Sequence, residues 1–450
     1  MHKLSSVPDY GRTFPLYVPP IDWYFLSDDS PQFPMSFFLD LDFSGQLDRG
    51  KFEEAYGEAL GRHPLLYCIA AEAKNDRLCW VLAPDKVPDI DWADGDSPLV
   101  FENDGFIDIR QTTGVKVWVR QSSDSARVTM QIHHAACDGT GAYRFVGDLL
   151  GCYMKRLACC EGKVELAEFD AAQLKVRRSK MRSILMHESS WKKLHFAMSE
   201  CWKLVGKRIS PLKPPANNPT HQVLPGMVKQ DFSAEQLANL RGAATAKGGT
   251  LNDLFLCKVF ESALRWNNDA GKRIRILVPA DMRDGDDFEI PACNMTACTF
   301  ITRDSAEIRD EERLMKEVLA DTLEIKNGTP QSAFVNMLTT AMEGSMLPRI
   351  LNRNWCLATC VFSNAGDPAR RFTGRLPKKK GKISCDDFTL EGITGVPPLR
   401  RNTRATLSSS IYGRKLTFSL RCDPHLFDED ASNKLLEVFC DQLRPLANGE

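Results

Sequence analysis

Segments with strand periodicity alternate with segments of helix periodicity in both halves of this 450-residue chain. In the first half, residues 126–132 (ARVTMQI) alternate apolar and polar side chains as a half-buried strand does, and a short loop leads to a helical pattern at 140–157. In the second half, residues 250–266 show an apolar helical pattern and residues 273–283 (RIRILVPADMR) a strand pattern. This alternation predicts mixed α/β (α+β) halves, which we expect to form two sandwich domains.

A basic amphipathic stretch separates the two halves. Between 175 and 213, basic side chains far outnumber acidic ones and apolar residues recur at helical spacing, until the proline-rich segment 210–219 ends the pattern. We therefore predict an N-terminal domain at 1–170, a linker at 171–225 and a C-terminal domain at 226–450. Two interpretations of the linker stay open: a helix packed on a domain with a solvated basic face, or a helix that contacts a membrane surface or lipid droplet.

The charge balance and the cysteines exclude several functional classes. The chain has 58 basic and 59 acidic side chains and a net charge of −1, so no global field recruits nucleic acid. No segment approaches the roughly 18 apolar residues of a membrane span, and the first residues lack the apolar core of a signal peptide. The 15 cysteines include no CxxC pair and mostly lie in apolar runs. We expect a globular protein of the reducing cytoplasm.

The segment that carries most chemical information is the loop HHAACDG at 133–139, between the strand and the helix of the first half. Such a loop can aim a side chain into a cavity while its flanking elements hold it rigid. A histidine suits the role of general base, because its ordinary pKa of about 6.5 lies near working pH. Asp138 can fix the loop, and Gly139 suits a sharp turn with positive φ.

From the residues alone, three interpretations of this loop stay open. The histidines can be a pair without chemistry, a metal site with Asp138, or the source of a general base. The metal site is disfavoured because the sequence contains no HExxH motif and its other histidines are scattered. No GxSxG, GxxxxGK[ST] or GxGxxG motif points to a serine nucleophile or a phosphate-binding loop.

The heptad resembles the HHxxxDG signature of the CoA-dependent acyltransferase superfamily, whose fold is similar to that of chloramphenicol acetyltransferase. The superfamily includes condensation domains, wax ester synthases/diacylglycerol acyltransferases and alcohol acetyltransferases. Four further segments resemble its landmarks and follow in the same order: FSGQLDRGKFEEAYGEALGRHPLL at 43–66, TLNDLFLC at 250–257, VPADMR at 278–283 and VFSNAGDP at 361–368. The resemblance implies two acetyltransferase-like sandwich domains with an active-site tunnel between them.

The resemblance also implies roles for individual residues. His134 would be the general base that takes a proton from the acceptor, and His133 a positioning neighbour. Asp138 would be chiefly structural and paired with Arg283, and Gly139 would let the loop turn. The reaction of this superfamily forms no acyl-enzyme, so alignment of two substrates and one base would supply the rate.

The second half offers weaker candidates. Asn252 and Asp253 either cap a helix or line a substrate channel, and Ser363 and Asn364 either form a turn or contribute to the channel and bind the oxyanion. The lysines at 378–380 are either an exposed loop or a contact for CoA phosphates or an acidic carrier protein.

We therefore expect a stand-alone O-acyltransferase that moves an acyl group from a CoA or carrier-protein thioester to an alcohol or lipid hydroxyl. The plant-type DFGWG motif and the early P-L-W motif of the wax ester branch are absent. We expect a monomer without metal or permanently bound cofactor, in the cytoplasm, with peripheral membrane contact through 175–213 as an alternative. The rival interpretations are a catalytically silent protein that binds acyl chains or a carrier protein, and an amide-forming condensation enzyme.

Overall fold

The computed structural model describes residues 10–11, 13–73, 77–175, 177, 209–216, 224–268, 273–343, 355–385 and 388–450. These residues form two compact units. Unit 1 comprises residues from 1–183, 283–296 and 367–395, and unit 2 comprises residues from 184–282, 297–366 and 396–450. Helices and strands alternate in both units, so the chain is mixed α/β as predicted.

The bounds of the elements in the described residues are as follows. The strands are β1 Leu16–Tyr17, β2 Ser36–Gly45, β3 Cys68–Ala73, β4 Arg77–Leu82, β5 Asp91–Asp94, β6 Val115–Gln121, β7 Ser125–His133, β8 Met227–Phe232, β9 Arg273–Asp281, β10 Thr296–Asp304, β11 Cys360–Gly366, β12 Lys378–Lys379, β13 Lys382–Cys385, β14 Phe388–Val396, β15 Ala405–Tyr412 and β16 Lys415–Cys422. The α-helices are α1 Pro20–Asp28, α2 Arg49–Arg62, α3 Gly139–Lys155, α4 Ala234–Ala246, α5 Leu251–Trp266, α6 Ser305–Arg309, α7 Glu311–Lys326, α8 Thr329–Glu343, α9 Glu429–Asp441 and α10 Arg444–Asn448.

The large sheet of unit 1 places the end of β7 near its centre. Seven strands pair in the order β12-β13-β14-β2-β7-β6-β5. β2 and β7 run antiparallel, and Ser36 lies opposite His133. The alternation at 126–132 corresponds to a face on which Val128, Met130 and Ile132 are fully buried. Because β7 is paired on both sides, the loop that follows it starts from a rigid part of the unit.

The two units do not coincide with the contiguous ranges 1–170 and 226–450. Two segments of the second half, 283–296 and 367–395, cluster with unit 1. The second of them contributes β12, β13 and nearly all of β14 to the large sheet, where β14 pairs beside β2. Local periodicity identifies such strands, but it carries no signal for the distant strand with which they pair.

Unit 2 is a six-stranded sheet with helices packed on one of its faces. The strand order is β10-β9-β11-β15-β16-β8. Thr250 and Asp253 form a capping box that starts α5, and the apolar residues of this helix join a core shared with α9 and the sheet. In that core the ring of Phe418 lies 4.9 Å from the ring of Phe255 and 4.8 Å from that of Phe439. Aromatic pairs at such distances add to the stabilisation from apolar burial.

The predicted basic helix at 175–213 lies almost entirely outside the described residues. Three of its basic side chains are described: Lys175 and Lys213 are exposed, whereas Arg177 is only 1% exposed. The described residues 209–216 form no helix. Elsewhere in the described part of the chain, no helix combines the length and the apolar character needed to cross a bilayer.

Candidate active site

The loop that carries the two histidines is held at one end by β7 and at the other by α3. His133 is the last residue of β7, and its backbone N–H donates to the Gly114 carbonyl at 2.8 Å. Asp138 is the N-cap of α3, where its Oδ1 accepts the Gly141 N–H at 2.8 Å. Between them, the Ala136 N–H donates to the His133 carbonyl at 2.9 Å. The side chains of this loop therefore project from a backbone with little freedom.

His133 is fully buried, and its neighbours orient the ring. Its Nδ1 accepts the Ala135 N–H at 3.1 Å, so in the neutral ring the proton lies on Nε2. Nε2 lies 3.2 Å from Asp29 Oδ2, and Asp29 Oδ1 accepts the Met35 N–H at 2.8 Å. The Met35 carbonyl accepts the His134 N–H at 2.7 Å. His133 and Asp29 thus support the loop from the interior of unit 1.

His134 is partly exposed, and aromatic side chains hold its ring. Phe25 stacks on the ring with centroids 3.8 Å apart and an interplanar angle of 15°, and Phe37 meets it edge-on at 5.3 Å. Its Nδ1 is buried and makes no hydrogen bond to any residue that the structure describes. Burial lowers the pKa of His134 to about 4, although the nearby Asp138 charge acts in the opposite direction. The imidazole is therefore neutral at neutral pH, the state in which it can accept a proton.

Asp138 and Arg283 form a buried ion pair beside this loop. Arg283 Nη1 donates to Asp138 Oδ2 at 2.9 Å, and each side chain is 5% exposed. The same Oδ2 accepts the Met295 N–H at 2.7 Å, and Arg283 Nη2 donates to the Cys293 carbonyl at 2.7 Å. Burial acts to raise the pKa of Asp138, but the Arg283 charge and the hydrogen bonds outweigh it and lower the pKa. The pair thus ties the first turn of α3 to segment 283–296.

Asn294 holds the backbone of the loop from the other side. It is completely buried, and its Nδ2 lies 2.6 Å from the His134 carbonyl and 3.0 Å from the Ala135 carbonyl. The same side-chain amide lies 3.2 Å from Asp22 Oδ1, and the backbone carbonyl of Asn294 accepts from Arg177 Nη1 at 3.2 Å. Two carbonyls of the histidine loop therefore depend on one amide side chain, because buried acceptors need a donor.

Asp22 and Arg177 complete this network as a buried ion pair. Arg177 Nη2 donates to Asp22 Oδ2 at 2.8 Å, and Trp80 Nε1 donates to the same oxygen at 2.9 Å. Burial acts to lower the pKa of Arg177, but the Asp22 charge outweighs it and raises the pKa. For Arg177 the predicted solvated basic face is wrong, because this side chain neutralises a buried carboxylate.

The sequence analysis did not identify Asp22, Asp29 or Asn294 as residues that support the histidine loop. Asp22 carries a usable signal, since an acidic residue inside the apolar run IDWYFL must be paired if the helix is buried. Asn294 lies in the segment PACNMTAC, which has no motif or periodicity that predicts its contact with the loop.

The glycine with a steric role in this turn is Gly141. Gly139, predicted to adopt positive φ, is not among the glycines that do so; it begins α3, and a Cβ added there would meet no atom within 4 Å. A Cβ at Gly141 would lie 2.9 Å from both the backbone N and O of Cys293. Close approach of segment 283–296 to the first turn of α3 therefore requires a glycine at 141.

Among the candidates in unit 2, Asp253 is a helix-capping residue. Its Oδ2 accepts the Thr250 N–H at 2.7 Å, and its Oδ1 accepts the Thr322 hydroxyl at 2.7 Å. The residue is 1% exposed. Both oxygens are thus engaged within unit 2, as the capping interpretation of the sequence expects.

Asn252 and Asn364 lie together on unit 2. Asn364 Nδ2 donates to Asn252 Oδ1 at 3.2 Å, and Asn364 Oδ1 accepts the Ser409 hydroxyl at 3.1 Å. Ser363 precedes Asn364 on β11 and is partly exposed. The structure thus groups the loop residues His133, His134, Asp138 and Arg283 in unit 1, and the candidate channel residues in unit 2.

The ligand atoms of the histidine loop do not converge as a metal site requires. Within the described residues, the one group of histidine, cysteine or acidic side chains whose ligand atoms do converge is Cys159, Cys160 and Cys385. Cys159 and Cys385 are disulfide-bonded, a link that the expectation of a reducing compartment did not anticipate. Residues 378–380 are exposed, as the exposed-loop interpretation expects, but Lys378 and Lys379 form the strand β12 paired with β13, and Lys380 lies in the turn between them.

No protein-family model and no curated protein matches this sequence. Solved structures do match over nearly the whole chain. The TRI3 trichothecene 15-O-acetyltransferase from Fusarium sporotrichioides is 12% identical with a TM-score of 0.70, covering 96% of this chain and 94% of that protein. A mutant starter condensation domain of rhizomide synthetase in complex with C8-CoA is 13% identical with a TM-score of 0.63, covering 96% of this chain and 94% of that one.

An epimerization domain, from the third module of tyrocidine synthetase B, has the same fold. It is 14% identical with a TM-score of 0.63, covering 96% of this chain and 97% of that domain. Since one fold supports acetyl transfer, condensation and epimerization in these proteins, the likeness establishes architecture and leaves the reaction to the site. The chain therefore has the mixed α/β fold that this O-acetyltransferase, condensation domain and epimerization domain share.

Proposed function

We propose that the protein is an O-acyltransferase, in which His134 takes the proton from a hydroxyl acceptor while that hydroxyl attacks an acyl thioester. The observation that carries the proposal is a neutral, partly exposed histidine on a loop fixed by Asp138, Arg283 and Asn294. The fold supports acyl transfer as the reaction class, because one protein that shares it is an O-acetyltransferase and another was solved with C8-CoA.

The proposed reaction needs one base and no covalent enzyme intermediate. The acceptor oxygen attacks the thioester carbonyl as its proton passes to the His134 ring, which gives a tetrahedral intermediate and an imidazolium. The carbon–sulfur bond then breaks, and the leaving thiolate takes the proton from the imidazolium. The products are the ester and the free thiol, and His134 returns to its neutral form.

The low pKa of His134 keeps the ring in its basic form and favours proton return to the thiolate, while it makes the ring a weaker base toward the acceptor hydroxyl. A histidine with a pKa of about 4 is present in its basic form at neutral pH, and its imidazolium is a strong enough acid to protonate a thiolate at once. Phe25 limits movement of the His134 ring, and the contact with buried Asn294 limits movement of its backbone. The entropy cost of orienting the base is therefore incurred when the protein folds, and not in the reaction step.

A matrix of donors and acceptors tests the proposal. The purified protein is mixed with acyl-CoA of several chain lengths or acyl-carrier protein, and with simple alcohols, diacylglycerol or amines, and free thiol and acylated product are measured. The variant His134→Ala tests the base, and His425→Ala, an exposed histidine of unit 2, is the matched control. We expect ester formation with at least one alcohol or lipid hydroxyl, lost in His134→Ala and retained in His425→Ala.

The rival functions give different patterns in the same matrix. Product with amines but with no alcohol would replace the proposal by amide-forming condensation. Acyl-CoA binding without thiol release for any pair, unchanged by His134→Ala, would identify a silent binding protein. Loss of turnover with EDTA and recovery with zinc would indicate a metal-dependent reaction.

A further inference from the structure

Three cysteines from two distant parts of the chain meet in unit 1. Cys159 and Cys160 are adjacent in the 3₁₀ turn Ala158–Cys160 that follows α3, and Cys385 is the last residue of β13. Cys385 is disulfide-bonded to Cys159. The Sγ of Cys160 lies 2.6 Å from the same Cys385 Sγ and 3.8 Å from the Cys159 Sγ. The Cys385 sulfur thus has one bonded neighbour and a second cysteine in direct contact.

The three sulfurs differ in their access to solvent. Cys160 is 2% exposed and Cys385 9%, whereas Cys159 is half-buried. Access governs which sulfur an external thiol or disulfide attacks, together with the thiolate fraction. Cys159 is therefore the most accessible residue of this cluster, and the one at which we expect a small reagent to react first.

We infer that Cys159, Cys160 and Cys385 form a thiol–disulfide exchange site, in which Cys385 bonds to either of the two adjacent cysteines. The Cys160 thiolate attacks the Cys385 sulfur, the bond between Cys385 and Cys159 breaks, and Cys159 leaves as a thiolate. Cys159 then takes up the proton that Cys160 gave up. One disulfide is exchanged for another, so the step consumes neither oxidant nor reductant.

The first protein disulfide forms by exchange with a small disulfide such as oxidised glutathione. The Cys159 thiolate attacks one sulfur of the reagent and expels one glutathione thiolate, which leaves a mixed disulfide on Cys159. The Cys385 thiolate then attacks the Cys159 sulfur and expels the second glutathione thiolate. Two protein thiols are oxidised, and one molecule of oxidised glutathione is reduced to two thiols.

The two protein disulfides tie together the same segments but present different groups to solvent. Each joins the 3₁₀ turn that follows α3 to segment 367–395, which supplies strands to the large sheet. The Cys159–Cys385 bond includes the half-buried sulfur and is open to reduction. The Cys160–Cys385 bond is buried and leaves Cys159 as a half-buried free thiol. Exchange thus converts a reducible cross-link into a shielded one with a modifiable thiol beside it.

Alkylation of single-cysteine variants tests this inference. Wild type, C159S, C160S and C385S are incubated with oxidised glutathione, the small thiols are removed, and the denatured proteins are alkylated and weighed by mass spectrometry. We expect two of the 15 cysteines of the wild type to be protected from alkylation, because they form one disulfide. After prolonged incubation C159S and C160S should each still form one protein disulfide, C159S more slowly because it lacks the accessible cysteine. C385S should form none and carry at most a glutathione adduct on Cys159, which its mass identifies. C159A is measured beside C159S, so that an effect of the serine hydroxyl on folding is recognised.

The rate of reduction gives a second readout. Reduced glutathione should open the disulfide of C160S at least several-fold faster than that of C159S, because only the former contains the half-buried sulfur. Absence of a protein disulfide from both C159S and C159A after prolonged oxidation would overturn the inference, as would a protein disulfide that still forms in C385S. Protection that EDTA abolishes and a reductant does not would also overturn it, and would identify the three sulfurs as metal ligands.

Discussion

Replacement of Arg283 by methionine tests whether the Asp138–Arg283 pair holds the histidine loop. The substitution keeps much of the side-chain volume but leaves the buried Asp138 carboxylate without its counter-charge. Removing one partner of a buried ion pair costs about 3–5 kcal/mol. Here Asp138 keeps the Gly141 and Met295 N–H donors, and the Cys293 carbonyl keeps the Asp138 N–H. We therefore expect the lower end of the range, about 3 kcal/mol of unfolding free energy.

A double-mutant cycle separates the pair from its surroundings. Urea unfolding is followed by tryptophan fluorescence for wild type, Asp138→Asn, Arg283→Met and the double variant. We expect the double variant to lose about 2 kcal/mol less than the sum of the single losses, because it leaves no unpaired buried charge. The exposed pair Arg127–Asp42 of the same unit is the control, and Arg127→Met should cost less than about 1 kcal/mol.

The pH dependence of the unfolding free energy of the same variants tests the protonation state of Asp138. The folded-state pKa of Asp138 is lowered, so its stabilisation is present above the unfolded value of about 3.9 and is lost as pH falls through the folded pKa. Asp138→Asn should lack this acid-side loss. Single losses below about 1 kcal/mol, or losses that add within about 0.5 kcal/mol, would refute the structural role assigned to the pair.

Three further predictions concern the same loop. Asn294→Ala should cost about 2–3 kcal/mol in urea unfolding and lower kcat more than it changes KM, since the His134 and Ala135 carbonyls lose their donor; an unchanged kcat would contradict a positioning role. Gly141→Ala should lower the unfolding free energy by about 1–3 kcal/mol, because its Cβ would lie 2.9 Å from the Cys293 backbone, whereas Gly139→Ala should change it by less than about 0.5 kcal/mol; equal effects would be inconsistent with the described turn. Between about pH 6.5 and pH 4, stability should fall as pH falls, because unfolded His134 takes up a proton that the folded ring, with its pKa of about 4, does not; a His134→Gln variant with the same pH slope would show that other groups cause it.

The sequence predicted the local elements of the site well. The alternation at 126–132 corresponds to β7, and the helical pattern at 140–157 to α3. Both patterns reflect side chains within one element, for which periodicity is a direct physical signal. The capping alternative for Asp253 depends on a neighbour three residues away, as does the Asp138–Gly141 contact, although Asp138 was expected only to fix the loop.

Contacts between segments that are distant in the sequence could not be predicted in the same way. Asn294 reaches the loop only because segment 283–296 packs with unit 1, and Cys385 reaches Cys159 only because β13 joins the large sheet. These contacts depend on long-range strand pairing and packing, which a single sequence does not encode in any local period. The positive φ predicted at Gly139 is wrong for a related reason, since the tight approach occurs two residues further along α3, at Gly141.

The most direct test of the account is the turnover of His134→Ala with a donor and a hydroxyl acceptor that the wild type uses. Acylated product is measured by mass spectrometry at saturating substrates and neutral pH, and near-ultraviolet circular dichroism verifies that the variant is folded. General-base catalysis contributes roughly 10²–10⁴-fold, so kcat should fall by that factor while His425→Ala retains the wild-type value. A folded His134→Ala protein that keeps more than about one-tenth of the wild-type kcat would contradict the assignment of His134 as the base.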